Sequence, residues 1–249
     1  MPSNERLAIV TGTSSGIGAA VAQLLLARGW TVVGLSRRTA DFPAAGYRHV
    51  IVDLADSAQL GAVAERVLAP IVARTAWSRI GLVNNAGAIG AMHALDSIDP
   101  AQLASVFAVN AIAPVMLMGF VVRAAPATPL RIVNVSTGAA VQPIPGIGDY
   151  GASKAALRLA SMTFAAELAS AERPGGARHD VRILSYAPGV FDTPMQQAAR
   201  APDRAWNGLF VDFHAQGKLV PATAPAGEIV DFLAADGGEA FVERRFAAG

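Results

Sequence analysis

Not one of the 249 residues is a cysteine. That excludes a disulfide framework, a thiol nucleophile and a thiolate-bound metal, and it fits a cytoplasmic setting. Excess charge of one sign is missing too. Lys and Arg number 20 against 19 Asp and Glu, a net charge of +1, which gives no electrostatic case for nucleic acid. The four histidines, His49, His93, His179 and His214, show no ligand spacing, so no metal site is expected. Long hydrophobic runs are absent as well. The longest, APVMLMGFVV (113–122), contains Pro114 and Gly119 and stops at Arg123. At about half the ~20 residues that a bilayer span needs, it reads as a buried helix, and no membrane partner is expected. The N-terminal MPSNERLAIVTG reaches a strand-like run within six residues and has no signal-type apolar core.

What the chain does have is apolar character: 53% of residues are hydrophobic and the mean hydropathy is +0.39. Fully buried parallel strands and alanine-rich helices produce such values without a membrane segment. Short apolar runs at 7–11, 31–36, 49–53, 80–84, 131–136 and 181–186 read as strands. Helical periods lie between them, at 18–29, 56–72, around 101–124 and at 150–171. This alternation predicts an α/β fold with a doubly wound parallel sheet and helices on both faces. With no internal repeat or long linker, one domain over residues 1–249 is expected. The Pro- and Gly-rich stretches at 142–148 and 221–227 are loops.

TGTSSGIG (11–18) follows the first strand and opens the first helix. Gly12 permits a tight turn, Gly16 lets backbone approach a pyrophosphate, and Gly18 allows the helix to pack closely. The helix N-terminus then offers unpaired N–H groups and the positive end of its dipole to phosphates. The second strand ends in GLSRR (34–38). Where NAD-selective sites place an acid for the ribose 2′-hydroxyl, Ser36 stands here, followed by Arg37 and Arg38. A guanidinium can grip a 2′-phosphate bidentately, so NADP(H) is the expected cofactor.

Tyr150 and Lys154, in YGASK, are spaced i and i+4 and so share one helical face. A free phenol, with a pKa near 10, is a poor acid–base group at neutral pH. An ammonium one turn away would favour the phenolate.

TGTSSGIG, NNAG (84–87), Asn110, Ser136, YGASK (150–154) and PGVFDT (188–193) occur in one order and spacing. In that combination the chain resembles the short-chain dehydrogenase/reductase family over nearly its whole length. It is most similar to the branch of sepiapterin and benzil reductases, through APGVFDTPMQ (187–196) and AQGKLV (215–220). The resemblance implies a seven-stranded Rossmann sheet with cofactor and substrate in one site. It implies that Tyr150 donates a proton to the substrate carbonyl, Ser136 holds that oxygen, Lys154 also binds the nicotinamide ribose, and Asn110 supports a proton-relay water. It also implies a cofactor site along Gly12, Thr13, Ser14, Ser15, Gly16, Ile17 and Gly18. Further contacts follow at Ser36, Arg37 and Arg38, at Asp53 and Leu54 near the adenine, and at Asn85, Ala86 and Gly87. Pro188, Gly189, Phe191 and Thr193 complete it around the nicotinamide. Asn85 could instead brace neighbouring backbone, and Asp53 could cap the next helix.

Phe191, Met195, Trp206, Phe210, Phe213 and His214 lie where the family builds its substrate lid, about 191–220, and their apolar bulk suits a planar carbonyl compound. Glu243, in FVERRF, is the carboxylate nearest the place where sepiapterin reductases anchor the pterin. An NADPH-dependent carbonyl reductase is therefore expected. The alternatives are a 3-oxoacyl carrier-protein reductase or a non-catalytic cofactor sensor of the same fold. The helical segments 114–122 and 155–168 are apolar beyond one core-facing stripe, so a homodimer through them is expected, with Arg244 and Arg245 opposing self-pairing of the last strand.

Overall fold

The computed structural model describes residues 5–40, 42–74, 77–178, 180–217 and 219–246. The N-terminal MPSN, His179 and Lys218 of AQGKLV lie outside the described residues. The first strand, β1 (Glu5–Thr11), runs into α1 (Gly16–Ala27) and β2 (Thr31–Ser36). After β3 (Tyr47–Ile51) come a helix over 57–72, here α2, and β4 (Trp77–Asn84). Next are α3 (Pro100–Ala124), β5 (Leu130–Val135), α4 (Gly148–Ala169) and β6 (Val181–Ala187). The chain closes with α5 (Pro194–Ala199), α6 (Gly208–Ala215), α7 (Thr223–Ala234) and β7 (Phe241–Arg245).

The seven strands pair in parallel in the order β3-β2-β1-β4-β5-β6-β7, a single-domain Rossmann sheet. Period-two alternation sends Leu7 and Ile9 of β1 to one face and Ala8 and Val10 to the other. On the first face they join Leu60, Leu117, Val121 and Leu157 from α2, α3 and α4. On the second they meet Val21, Leu25, Ile229 and Leu233 from α1 and α7. Both faces are thus dry, which is why β5, LRIVNV, is buried along its whole length. Strand order reverses between β1 and β4, so a crevice opens beyond their C-terminal ends.

The expected strands and helices all form, with shifted ends, but the stretch 221–227 is not the loop expected: α7 begins at Thr223 and takes in Pro225 within its first turn, where a proline costs no helical hydrogen bond. β3 starts at Tyr47 rather than residue 49, because its ladder with β2 begins at Val32↔Tyr47; the Tyr47 hydroxyl also bonds Thr13 Oγ1 (3.1 Å) and His49 Nδ1 (3.0 Å). Asp53 consequently lies two residues past the strand. It is also not the cap of α2: Asp56 fills that place, accepting from Gln59 N at 2.9 Å, while Asp53 accepts from Ala55 N at 3.0 Å.

Two π turns were not foreseen, Ala64–Leu68 in α2 and Ala108–Ile112 in α3. Each is centred four residues before a proline, Pro70 or Pro114. A proline has no N–H to give the carbonyl four residues back, so the α pattern cannot run through Arg66 or Asn110. At 25 residues, α3 is by length and composition apolar enough to cross a membrane, which the broken apolar run did not suggest. Here it packs along the sheet through Leu117, Phe120 and Val121.

Candidate active site

A cleft of about 820 Å³ opens at the C-terminal ends of the strands. At one end the turn after β1 forms its wall. Gly12 has φ +75°, a left-handed conformation that favours glycine. A Cβ on Gly18 would collide with the Gly12 carbonyl oxygen and Asn85 Nδ2. Gly18 therefore packs on its own loop and on the strand-end asparagine. Asn85 Nδ2 donates to the Thr11 carbonyl at 2.9 Å, and the N–H groups of Asn85 and Ala86 donate to Thr11 Oγ1, each at 2.9 Å. Asn85 is thus a brace that ties β4 to β1.

Asp56, Asp99 and Thr193 cap their helices with side-chain oxygens, but Ser15 at the start of α1 makes no such bond. The first N–H groups of α1 are left facing the cleft. An uncapped helix start beside a left-handed glycine fits a dinucleotide diphosphate. Ser14, Ser15, Gly16 and Ile17 line this wall, as do Ser36, Arg37 and Arg38, with Asp53 and Leu54 behind them. Ser36 turns its hydroxyl to the Arg38 carbonyl at 2.7 Å, which shapes the loop. Arg37 and Arg38 are exposed, and no carboxylate among the described residues pairs with them. Thr13 and Gly18 do not line the cleft. Thr13 is fully buried under the loop, against Tyr47.

The cleft floor joins β5 to α4. Lys154 is buried, and its Nζ donates to the Val135 carbonyl at 2.7 Å. Burial alone lowers its pKa to about 8. Burial pushes the Tyr150 phenol up to about 12, against a hydrogen bond from Thr137 that pulls it down. This corrects the expectation that Lys154 favours the phenolate. The ammonium is turned to the Val135 carbonyl, and in so dry a floor both groups move toward their neutral forms. Ser136 stands one residue past β5 and lines the cleft beside Thr137.

Asn110 does not reach the cleft. It is fully buried behind Gly87, accepting from Ala88 N and donating to the Ala88 carbonyl, both at 2.8 Å, and donating to Ser153 Oγ at 3.0 Å. Its amide is saturated. Ala86 and Gly87 line the floor above it.

Pro188, Gly189, Phe191 and Thr193 form the wall after β6. Phe191 is buried with its ring 5.9 Å from that of Phe246. Thr193 Oγ1 accepts from Gln196 N at 3.3 Å, where Pro194 at the first helical position fixes the entry into α5. Of the aromatic set expected opposite, Met195, Phe210 and Phe213 line the cleft, and Trp206 and His214 do not. Trp206 sits against Gly146 and is half exposed. Glu243 is also directed elsewhere, held by Arg158 through two 2.6 Å bonds. Two residues were missed. Thr137 reaches the phenol, and its signal was its place beside Ser136. Arg245 lines the cleft from the end of β7, which only the sheet order discloses.

A family model described as short chain dehydrogenase matches residues 6–204. A benzil reductase ((S)-benzoin forming) of Bacillus cereus is 29% identical over 240 residues, covering 92% of this chain and 94% of its own. Sepiapterin reductase of Bos taurus is 30% identical over 251 residues, covering 92% and 90%. Among solved structures, a short-chain dehydrogenase/reductase of Brucella ovis in complex with a partially ordered NAD superposes with a TM-score of 0.71. It has 25% identity and covers 98% and 100% of the two chains. With the strand order, the glycine turn and the Tyr150–Lys154 floor, these matches settle the family: the chain belongs to the short-chain dehydrogenases, oxidoreductases that act between carbonyl and alcohol with a nicotinamide cofactor.

Proposed function

We propose that the protein is an NADPH-dependent carbonyl reductase acting on a ketone or diketone, with Tyr150 as proton donor. The observation that carries this reading is the floor of the cleft. There a phenol held protonated by burial, a buried ammonium one helical turn along, and the hydroxyls of Ser136 and Thr137 meet between the glycine turn and an apolar wall.

The Gly12–Ser15 turn and the start of α1 would hold the diphosphate, and Arg37 and Arg38 the 2′-phosphate that distinguishes NADPH. Thr193 and the backbone at Phe191 would meet the nicotinamide. When bound, the reduced dinucleotide supplies the hydride. The Tyr150 hydroxyl gives its proton to the substrate oxygen, which Ser136 and Thr137 orient by hydrogen bonds. Lys154, fixed by its bond to the Val135 carbonyl, would bind the nicotinamide ribose beside the phenol. Asn110 positions Ala88 and, through it, the Gly87 turn. Met195, Phe210 and Phe213 favour planar or aryl carbonyl compounds.

Oxidation of NADPH and of NADH, followed at 340 nm with a panel of ketones and 1,2-diketones, tests this. Turnover of a diketone with a clear preference for NADPH is expected. Turnover of no carbonyl compound refutes the reading, and equal use of both cofactors refutes its assignment of Arg37 and Arg38.

A homodimer through α3 and α4 forms part of the same proposal. Ile112 and Val115 of α3 and Leu159 and Met162 of α4 are exposed at 48%, 42%, 64% and 37%. A second copy would cover them with two-fold symmetry. Light scattering at micromolar concentration is expected to give twice the chain mass. The mass of a single chain overturns the dimer.

A further inference from the structure

From the charges around the cleft we infer that Arg245 is a substrate-binding residue, and that the enzyme takes carbonyl compounds carrying a carboxylate a few bonds from the reacting carbonyl. This rests on the carbonyl-reductase reading above and names its substrate class.

Among the described residues the cleft wall carries five charged side chains. Arg37, Arg38 and Asp53 stand at the end beyond the glycine turn, and Lys154 lies in the floor. The fifth, Arg245, stands at the opposite end. β7 pairs with β6 in the register Ala187↔Arg245, and Ser136 N donates to the Tyr186 carbonyl at 2.7 Å. Arg245 therefore ends the sheet at the level of Ser136, two strands away, and its side chain reaches back across β6. A Cβ on Gly138 would lie 3.3 Å from Arg245 Nη2 and 4.0 Å from its Cζ. Gly138 is two residues past Ser136, a separation of at most about 7 Å. Glycine at this position leaves the space open for the guanidinium.

Three further facts leave that charge available. Glu243, on the same face of β7, is bound bidentately by Arg158. Arg244 points to the other face, toward Tyr186. No carboxylate among the described residues pairs with Arg245. A planar guanidinium with paired donors, at the rim of a wall that includes Met195, Phe210 and Phe213, is matched to a carboxylate. A neutral diketone of the same length leaves it unanswered.

The test compares 4-oxo-4-phenylbutanoate with its methyl ester, and phenylglyoxylate with its methyl ester, as substrates with NADPH. Wild type is expected to favour the better acid over its ester by about tenfold in kcat/KM, carried by KM, with the preference shrinking in 0.5 M NaCl. In Arg245→Gln the acid-to-ester ratio falls to near one, and in Arg245→Glu it inverts. Thermal melting of each variant checks that β7 is intact. The same pairs are titrated by calorimetry into wild type and Arg245→Gln saturated with NADP⁺, where no turnover occurs. An acid-to-ester ratio that survives Arg245→Glu, or acids that bind no better than esters in wild type, overturns the proposal. Acid binding that depends on Arg245 without reduction of any carbonyl compound upholds the anion site and refutes the carbonyl-reductase reading instead.

Discussion

The two sides of the cleft are built differently. The catalytic side hangs from strand ends and α4, and its polar groups are locked: Lys154 to Val135, Asn110 to Ala88, Asn85 to Thr11. The opposite side consists of two short helices, and α6 has no buried residue at all. Its link to the rest is a small cluster in which Ala199 and Phe210 pack with Ala139, Ile147 and Tyr150. Fixed geometry therefore sits where the proposed reaction would handle protons and phosphates, and loosely supported apolar surface sits where a substrate ring would be sorted. On the proposed reading, stability and chemistry draw on the strand-end side, and the apolar contacts to a substrate ring on the other.

The sharpest way to break this contrast is at the phenol. Tyr150→Phe is expected to lower kcat by about 10²–10⁴-fold, the usual worth of a general acid, with NADPH affinity nearly unchanged by fluorescence titration. A variant with full activity would show that the floor does not carry the proton. The next largest effect is at the locked side's outer edge. Arg37→Asp removes a charge-assisted contact of roughly 1.5–3 kcal/mol, so NADPH binding should weaken about 10–100-fold while NADH binding stays within about twofold. Loss of both cofactors together would mean that Arg37 supports the loop rather than the 2′-phosphate.

The locked side was also the legible one. Its residues cluster in short motifs, each at a strand end, and a strand–turn–helix sequence carries its own geometry. Hydrophobic period alone places β1, β2, β4, β5 and β6 because both faces of the sheet are buried. Less legible were positions set by contacts distant in sequence. β3 reaches back to Tyr47 by pairing with Val32 and anchors its hydroxyl on Thr13, 34 residues earlier, and no local pattern announces it. Trp206 and His214 look like lid residues in a one-dimensional reading, yet only the turn of α6 decides that Phe210 and Phe213 face inward. The phenol's direction of shift was misread because spacing reports that Lys154 is near and says nothing of how dry the floor is. Arg245 was legible only as a charge on an edge strand, since strand order, not sequence order, carries it to the cleft.

Burial on the locked side also has a stability consequence. The fall of the Lys154 pKa from 10.5 to about 8 corresponds to a penalty of about 3 kcal/mol below pH 8. Lys154→Met removes it but strands the Val135 carbonyl, which costs about 1–3 kcal/mol. A net gain of about 0–2 kcal/mol at pH 7 is expected, raising Tm by up to roughly 8 °C in a variant that has lost most of its activity. The lowered pKa means that the native state holds fewer protons than the unfolded chain between about pH 8 and 10.5. Wild type therefore gains stability as pH rises through that window. The Tm gap between the two proteins should narrow from pH 8 upward. A gap independent of pH would show that the ammonium is solvated and the floor is wet.

The smallest effect is expected on the loose side, and it is the one that separates sorting from holding. Phe213 is half-buried on α6 and faces the cleft, and that helix, which has no fully buried residue, packs on the body through Phe210. Phe213→Ala removes apolar surface that a bound ring would cover, worth about 1–1.5 kcal/mol. For an aryl ketone this means a KM about 5–10-fold higher, with kcat within about twofold, because the phenol and its neighbours are untouched. The free protein loses little, since a side chain already open to solvent leaves no sealed cavity when shortened. Its Tm should move by less than about 2 °C, whereas a truncation of buried Leu117 in α3 should lower it by several times that. A large Tm loss in Phe213→Ala, or a fall in kcat with KM unchanged, would show that α6 braces the catalytic floor, and the division between the two sides would not stand.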